Sequence, residues 1–321
     1  MAHIGFQIPG FTYPVPDEQL FDTVAGIAAA AEGAGFDSVW VMDHLEQLPM
    51  LGGVDEPILE GYMTLSALAG RTSRVQLGTL VTGVTYRNPA LLAKTVTSLD
   101  VISGGRAILG LGAAWFEAEH EAYGYGSLLP AGERLDRLDE ALQICRAMFS
   151  EDQASFEGEH YRIDAARNFP KPLQSGGPPI MIGGGGEKRT LRLVAQYGDM
   201  CNFTSTVPDV LRHKLDVLEK HCGEVGRDPG EITKTVLATV VTGATPEVAQ
   251  ERVERILAAF GMTEEQASEF AILGTPEQVT EKVAALAAVG LDGIIVNLGR
   301  EDAADLEAVA ATGAALREAF A

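Results

Sequence analysis

Ala34-Gly35-Phe36-Asp37-Ser38-Val39-Trp40-Val41 ends a helix, turns on a glycine and an aspartate, and enters a strand apolar on both faces. The pattern returns at Tyr197-Gly198-Asp199 before Met200-Cys201-Asn202-Phe203. It returns again at Val289-Gly290-Leu291-Asp292 before Gly293-Ile294-Ile295-Val296. Each glycine suits the left-handed position that follows a helix, and each aspartate sits in the turn. Repeated helix-to-strand junctions of this kind point to a parallel sheet covered by helices.

Working outward, the same alternation spans the chain. Strands are predicted at 3–8, 38–42, 75–81, 107–111, 179–182, 200–203, 233–241 and 293–296. A first helix starts at Asp17 and stops at Gly33 or Gly35. Others are predicted at 89–102, 133–149, 188–196, 207–225, 246–260, 276–289 and 303–320. About eight βα units in one chain favour a closed (β/α)8 TIM barrel over a doubly wound sheet cut into two domains. No Pro/Ser-rich linker divides residues 1–321, which are expected to form a single domain. Two stretches, 117–132 and 155–178, break the alternation. They are expected to be insertion loops on the carboxyl face, where barrel enzymes build their sites.

Composition narrows the function classes. The chain has 24 Lys and Arg against 45 Asp and Glu, a net charge of −21. Such a surface repels polyanions, so neither nucleic acid nor an anionic membrane is an expected partner. No stretch approaches the ~20 apolar residues of a membrane span. The first residues lack a basic leader region, so no secretory signal is expected. Cys145, Cys201 and Cys222 are odd in number and share no CxxC spacing. They support neither a disulfide framework nor a zinc site, and a reducing cytoplasm is expected.

Strand ends supply the candidate chemistry. Asp43-His44 follows the second strand, and a histidine there can accept or donate a proton near neutral pH. A satisfied structural histidine is the alternative. Gly183-Gly184-Gly185-Gly186 precedes Glu187-Lys188-Arg189-Thr190. Without Cβ atoms this loop can approach a ligand, and a helix start with two cations suits a phosphate. The loop matches neither a P-loop nor a dinucleotide fingerprint. Glu117-Ala118-Glu119-His120-Glu121 lacks any metal-ligand spacing and reads as a solvated helix face. His213 and His221 read as surface residues, and Cys201 as a small core side chain. No metal site is expected.

The longer motifs resemble one family, the bacterial luciferase-like monooxygenases, and especially their coenzyme F420-dependent branch. The resemblance runs over nearly the whole chain. It rests on Ser38-Val39-Trp40-Val41-Met42-Asp43-His44, on Leu77-Gly78-Thr79-Leu80-Val81-Thr82-Gly83-Val84-Thr85-Tyr86-Arg87-Asn88-Pro89 and on Leu99-Asp100-Val101-Ile102-Ser103-Gly104-Gly105-Arg106. It continues through Gly110-Leu111-Gly112-Ala113-Ala114-Trp115, Phe156-Glu157-Gly158-Glu159-His160-Tyr161 and residues 179–190.

That resemblance implies a deazaflavin at the carboxyl face. Asp43 would hydrogen-bond it, and His44 would lie at the hydride-transfer centre as proton donor or charge stabiliser. Leu80-Val81 would carry a non-prolyl cis peptide forming a bulge behind the ring. Gly83, Ala113 and Ala114 would line the cofactor, and Gly185, Gly186, Lys188 and Arg189 would hold its phosphate. The branch acting on glucose 6-phosphate has a carboxylate where this chain has Trp115, and a lysine after the sixth strand. Residues 201–211 contain no basic residue here. Those departures argue against a sugar phosphate. Trp115, Phe116 and Tyr123 suit an apolar or aromatic substrate, or internal packing.

The expected function is hydride transfer between coenzyme F420 and a small organic molecule. An FMN-dependent monooxygenase of the same family is the alternative. A non-catalytic flavin- or deazaflavin-binding protein is the alternative from another class. A homodimer is expected from the family's habit of pairing through outer helices.

Overall fold

The computed structural model describes residues 2–243, 245–299 and 305–320. Among them the chain runs through β1 (His3–Ile8), α1 (Asp17–Gly33), β2 (Ser38–Val41), α2 (Gly61–Ala69), β3 (Gln76–Thr79), β4 (Thr82–Gly83), α3 (Pro89–Ser103) and β5 (Ala107–Gly112). It continues with α4 (Glu117–Ala122), α5 (Ala131–Ser150), β6 (Ala154–Glu157), β7 (Arg162–Ala166), β8 (Ile180–Gly183), α6 (Thr190–Tyr197), β9 (Met200–Phe203) and α7 (Pro208–Val225). The last third holds β10 (Thr233–Val241), α8 (Pro246–Phe260), α9 (Glu264–Ala267), β11 (Ala271–Leu273), α10 (Pro276–Ala288), β12 (Gly293–Leu298) and α11 (Leu306–Ala319). Residues 303 and 304 of the last expected helix lie outside the described residues.

Eight strands pair in parallel in the order β12-β1-β2-β3-β5-β8-β9-β10, and β10 pairs back onto β12. The sheet is therefore closed, and the chain is a TIM barrel. β4 resumes the line of β3 after Leu80-Val81 and pairs with β5. β11 runs beside the upper end of β10.

The quoted junctions act as staples. Asp37, Asp199 and Asp292 each donate a backbone N–H to the neighbouring strand, at the carbonyls of Ile4, Ile180 and Lys234, over 2.7, 2.8 and 2.8 Å. Each carboxylate then accepts the N–H of that same residue, at 2.8, 2.7 and 2.9 Å. A cation closes each aspartate: Arg317, Arg146 and Lys234. Gly35 and Gly290 take the expected left-handed backbone, with φ of 85° and 106°. Gly198 does not; its φ is −78°. Glycine is needed there because a Cβ would fall 3.1 Å from the Val194 carbonyl and 3.2 Å from that of Met200.

Alternation along the strands separates two cores. Ile4, Phe6, Val39, Val41, Leu77, Leu109, Ile180, Ile182, Ile294 and Val296 face outward under the helices. They meet stripes such as Leu20, Val24, Ile27 and Ala31 of α1. The interior holds Trp40, Ile108, Met181, Met200 and Ile295. Trp40 fits because facing positions are glycines. A Cβ at Gly78 would lie 2.6 Å from its ring, and one at Gly5 would lie 2.7 Å from Nε1.

The insertions divide. Residues 117–132 join β5 to α5, a carboxyl-face connection, and include α4. Residues 155–178 follow α5 and lead into β8, so their placement on the carboxyl face is corrected: they lie at the amino end. The antiparallel β6–β7 hairpin is clipped to α5 by Glu140, which accepts the N–H groups of Glu159, His160 and Tyr161 at 2.7, 3.0 and 2.8 Å. Its exit is held by buried Asp100, which accepts from Leu173 N at 2.7 Å.

Candidate active site at the carboxyl end of the barrel

The sequence candidates fall on four adjacent strand ends. Asp43 and His44 follow β2, Leu80, Val81 and Gly83 lie between β3 and β4 or on β4, and Ala113 and Ala114 follow β5. Gly185, Gly186, Lys188 and Arg189 lie between β8 and α6. The closed sheet brings them round one mouth.

Asp43 is buried and gives both oxygens to Arg87, at 2.5 and 2.9 Å. Arg87 also binds Glu60, the residue that caps α2, and its guanidinium stands 4.9 Å over the Tyr62 ring. Burial pushes the Asp43 carboxyl up against the pull of Arg87. Burial likewise opposes the charge of Arg87, but Asp43 and Glu60 overcome it and hold its pKa above the ordinary value.

His44 has a partner that the sequence did not reveal. Its Nδ1 lies 3.1 Å from Oε2 of Glu119. The other carboxylate oxygen accepts Leu45 N at 2.5 Å and Glu46 N at 3.1 Å, and the Tyr86 hydroxyl donates to Oε2. Burial favours the neutral acid here, but the bonds from His44, Tyr86 and Leu45 outweigh it and hold Glu119 below the usual carboxylate range. Glu119 and His120 are therefore not on a solvated face: they are 0% and 2% exposed. Only Glu117, Ala118 and Glu121 of that run are exposed. His120 accepts or donates at Thr85 Oγ1 over 2.5 Å, bonds the Phe116 carbonyl at 2.8 Å and packs 5.1 Å from the Tyr86 ring. No local signal in that run marks Glu119 and His120 as the residues that turn inward.

Leu80-Val81 is cis. Val81 projects over a hollow left by glycines; a Cβ at Gly112 or Gly183 would fall 2.8 Å from its Cγ2. Opposite, Ala114 takes φ +60°, a backbone conformation costly for a residue with a Cβ. Arg134 holds that turn by donating to the carbonyls of Ala113 and Ala114. Its Nε is buried without a partner. Sequence reasoning missed Arg134 altogether.

The glycine loop is tied from α7. Lys214 reaches Glu187 at 2.5 Å, His213 at 3.3 Å, and His221 Nε2 meets the Glu187 carbonyl at 2.8 Å. Lys214 and His213 keep Glu187 below the usual carboxylate value. His221 is thus a loop anchor rather than a surface residue. Arg189 is partly occupied by Asp136 and the Gly132 carbonyl, at 2.5 and 2.9 Å. Lys188 is exposed and has no ion pair among the described residues. Cys201 is core as expected, its thiol pushed up to about 12 by burial.

The model of one family, luciferase-like monooxygenase, matches residues 4–269. The chain belongs to the luciferase-like monooxygenase family. Among curated relatives of the family it is 33% identical to an F420-dependent glucose-6-phosphate dehydrogenase of Kineococcus radiotolerans, over 76% of this chain and 71% of that protein. The fold superposes on a coenzyme F420-dependent tetrahydromethanopterin reductase of Methanopyrus kandleri with a TM-score of 0.79, 20% identity, and coverage of 100% and 99%. It superposes on a riboflavin lyase holding modified FMN with a TM-score of 0.83, 17% identity, and coverage of 99% and 91%. Those two likenesses establish the fold. No helix of the described residues is long and apolar enough to cross a membrane, and no group of His, Cys, Asp and Glu among them could hold a metal ion.

Proposed function

We propose that the protein is an oxidoreductase that uses coenzyme F420 to move a hydride to or from a small organic substrate, with His44 as the group that handles the proton. The observation that carries this reading is the His44–Glu119 pair, set at the barrel mouth beside the glycine-backed Val81. The F420 dependence of relatives at 33% identity favours the deazaflavin over FMN.

The residues fit such a cofactor. Gly183 to Gly186 give a Cβ-free approach, and Lys188, Arg189 and the unpartnered Nε of Arg134 offer donors for a phosphate. Leu80, Val81, Gly83, Ala113 and Ala114 are assigned to the ring. Asp43, expected at the ring, is fully buried with both oxygens on Arg87, and that pairing keeps it from the ring. Coenzyme F420 when bound supplies a ring carbon that accepts or gives up the hydride. His44, its Nδ1 engaged by Glu119, keeps Nε2 for the substrate oxygen. It takes the proton as an alcohol is oxidised, or returns it as a carbonyl is reduced.

Titrating the protein with each cofactor tests this, with ring fluorescence as the readout. Tighter binding of coenzyme F420 is expected; tighter binding of FMN would move the protein to the monooxygenase reading. F420 binding without any hydride exchange would leave a non-catalytic carrier.

The same reading takes residues 1–321 as one unit working as a homodimer. Met63 on α2 and Leu91 and Ile102 on α3 are 73%, 58% and 59% exposed on neighbouring helices, which favours pairing of two copies. Light scattering at micromolar concentration should give twice the chain mass. Three buried free cysteines favour a reducing cytoplasm.

A further inference from the structure

We infer that the substrate accepted beside His44 is uncharged and largely apolar, held against a wall formed by Trp115 and Phe116; this rests on the hydride-transfer reading above. Trp115 is 52% exposed, an unusual state for the largest side chain in a well-packed barrel. Its ring centroid lies 5.8 Å from that of His44, and Phe116 lies 6.0 Å away, both edge-on. The two aromatics pack against each other, tilted by 36° with centroids 5.3 Å apart. The imidazole therefore sits beside an aromatic pair whose tryptophan is half exposed.

Charge points the same way. Residues 43–60 and 113–126, the segments that bracket His44, contain no lysine or arginine. They carry Asp43, Glu46, Asp55, Glu56, Glu60, Glu117, Glu119 and Glu121. Among the described residues Arg87 and Arg134 reach this side; Asp43 and Glu60 hold the first, and the second donates to the carbonyls of Ala113 and Ala114. A phosphate or carboxylate on the substrate would meet repulsion, with Arg87 already paired and the remaining Nε of Arg134 assigned to the cofactor phosphate. Against the imidazole itself a cationic group gains little, because Glu119, the carboxylate in contact with His44, is spent on His44, Tyr86 and backbone amides.

The chain has two tryptophans, and Trp40 is sealed inside the barrel, so emission from Trp115 reports the pocket alone. Acetophenone, 4-acetylbenzoate, 4-(aminomethyl)acetophenone and glucose 6-phosphate form a series that varies charge. We expect acetophenone to shift Trp115 emission and the three charged compounds to bind at least tenfold more weakly. Calorimetry on W115A should show acetophenone affinity reduced about tenfold, the loss expected for one aromatic contact of ~1.4 kcal/mol. Equal or tighter binding of any charged compound would overturn the inference, as would undiminished affinity in W115A. Because this series needs no cofactor, its failure is separable from a failure to bind coenzyme F420, measured by quenching of the cofactor's own fluorescence.

Discussion

Glu119 and His44 are 75 residues apart in sequence, yet Oε2 of one sits 3.1 Å from Nδ1 of the other. The carboxylate is fixed by two backbone amides and a tyrosine hydroxyl, so it orients the imidazole instead of following it. His44→Ala should slow single-turnover hydride transfer ~10²–10⁴-fold while coenzyme affinity changes little. Glu119→Gln keeps the shape but removes the charge, and should slow the same step about tenfold. An unchanged single-turnover rate in a folded Glu119→Gln protein would leave Glu119 as packing only.

Gly185 lies where a Cβ would meet Lys214 and Phe203 at 3.8 Å, an ordinary contact. Gly185→Val should therefore fold with a nearly unchanged melting temperature. Its branched side chain would still occupy the space proposed for phosphate, and coenzyme F420 should bind at least tenfold more weakly, about 1.4 kcal/mol. Wild-type affinity would remove the loop from the site.

The strand staples can be tested one at a time. Asp199→Ala leaves Ile180 N without its carboxylate acceptor and Arg146 with the Tyr197 carbonyl but no counter-charge. Loss of a bond to a charged group costs about 1–3 kcal/mol, and chemical denaturation should report that decrease. Asp37→Ala should behave alike at β1 and β2, and the two losses should add because the sites share no partner.

Acid should act through Glu32 at the end of α1. Burial works against its charge, but the N–H groups of Arg74, Ser73 and Val75 and the Ser73 hydroxyl outweigh it and set its pKa at about 2, down from 4.5. Its contribution is therefore present above pH 4.5 and is lost as pH falls towards about 2. Glu32→Gln should lower stability at neutral pH and flatten the acid limb between those values. Equal slopes for both proteins in that window would contradict the assignment.

Much of the barrel was legible because its signals are local. Apolar runs of strand length, Asn88-Pro89 and Thr275-Pro276 at helix starts, and the Gly and Asp junctions each act within a few residues. The hairpin clipped by Glu140 was legible as an insertion but not as an amino-end feature, because which end a connection serves depends on the element before it. α2 went unseen: its mixed stretch shows no clear period, and tertiary contacts from Arg87 and Glu60 define its start.

The sequence by itself determined the βα alternation, the glycines that let Trp40 and Val81 fit, and the strand ends at which chemistry was to be sought. Tertiary structure alone decided which carboxylate of the Glu117 to Glu121 run turns inward, that Asp43 belongs to Arg87, and that Trp115 stands open beside His44. The reason is range. Turn and strand preferences are set by neighbours along the chain, whereas the burial of a charge is tolerable only where distant donors converge on it, and sequence spacing does not record that convergence.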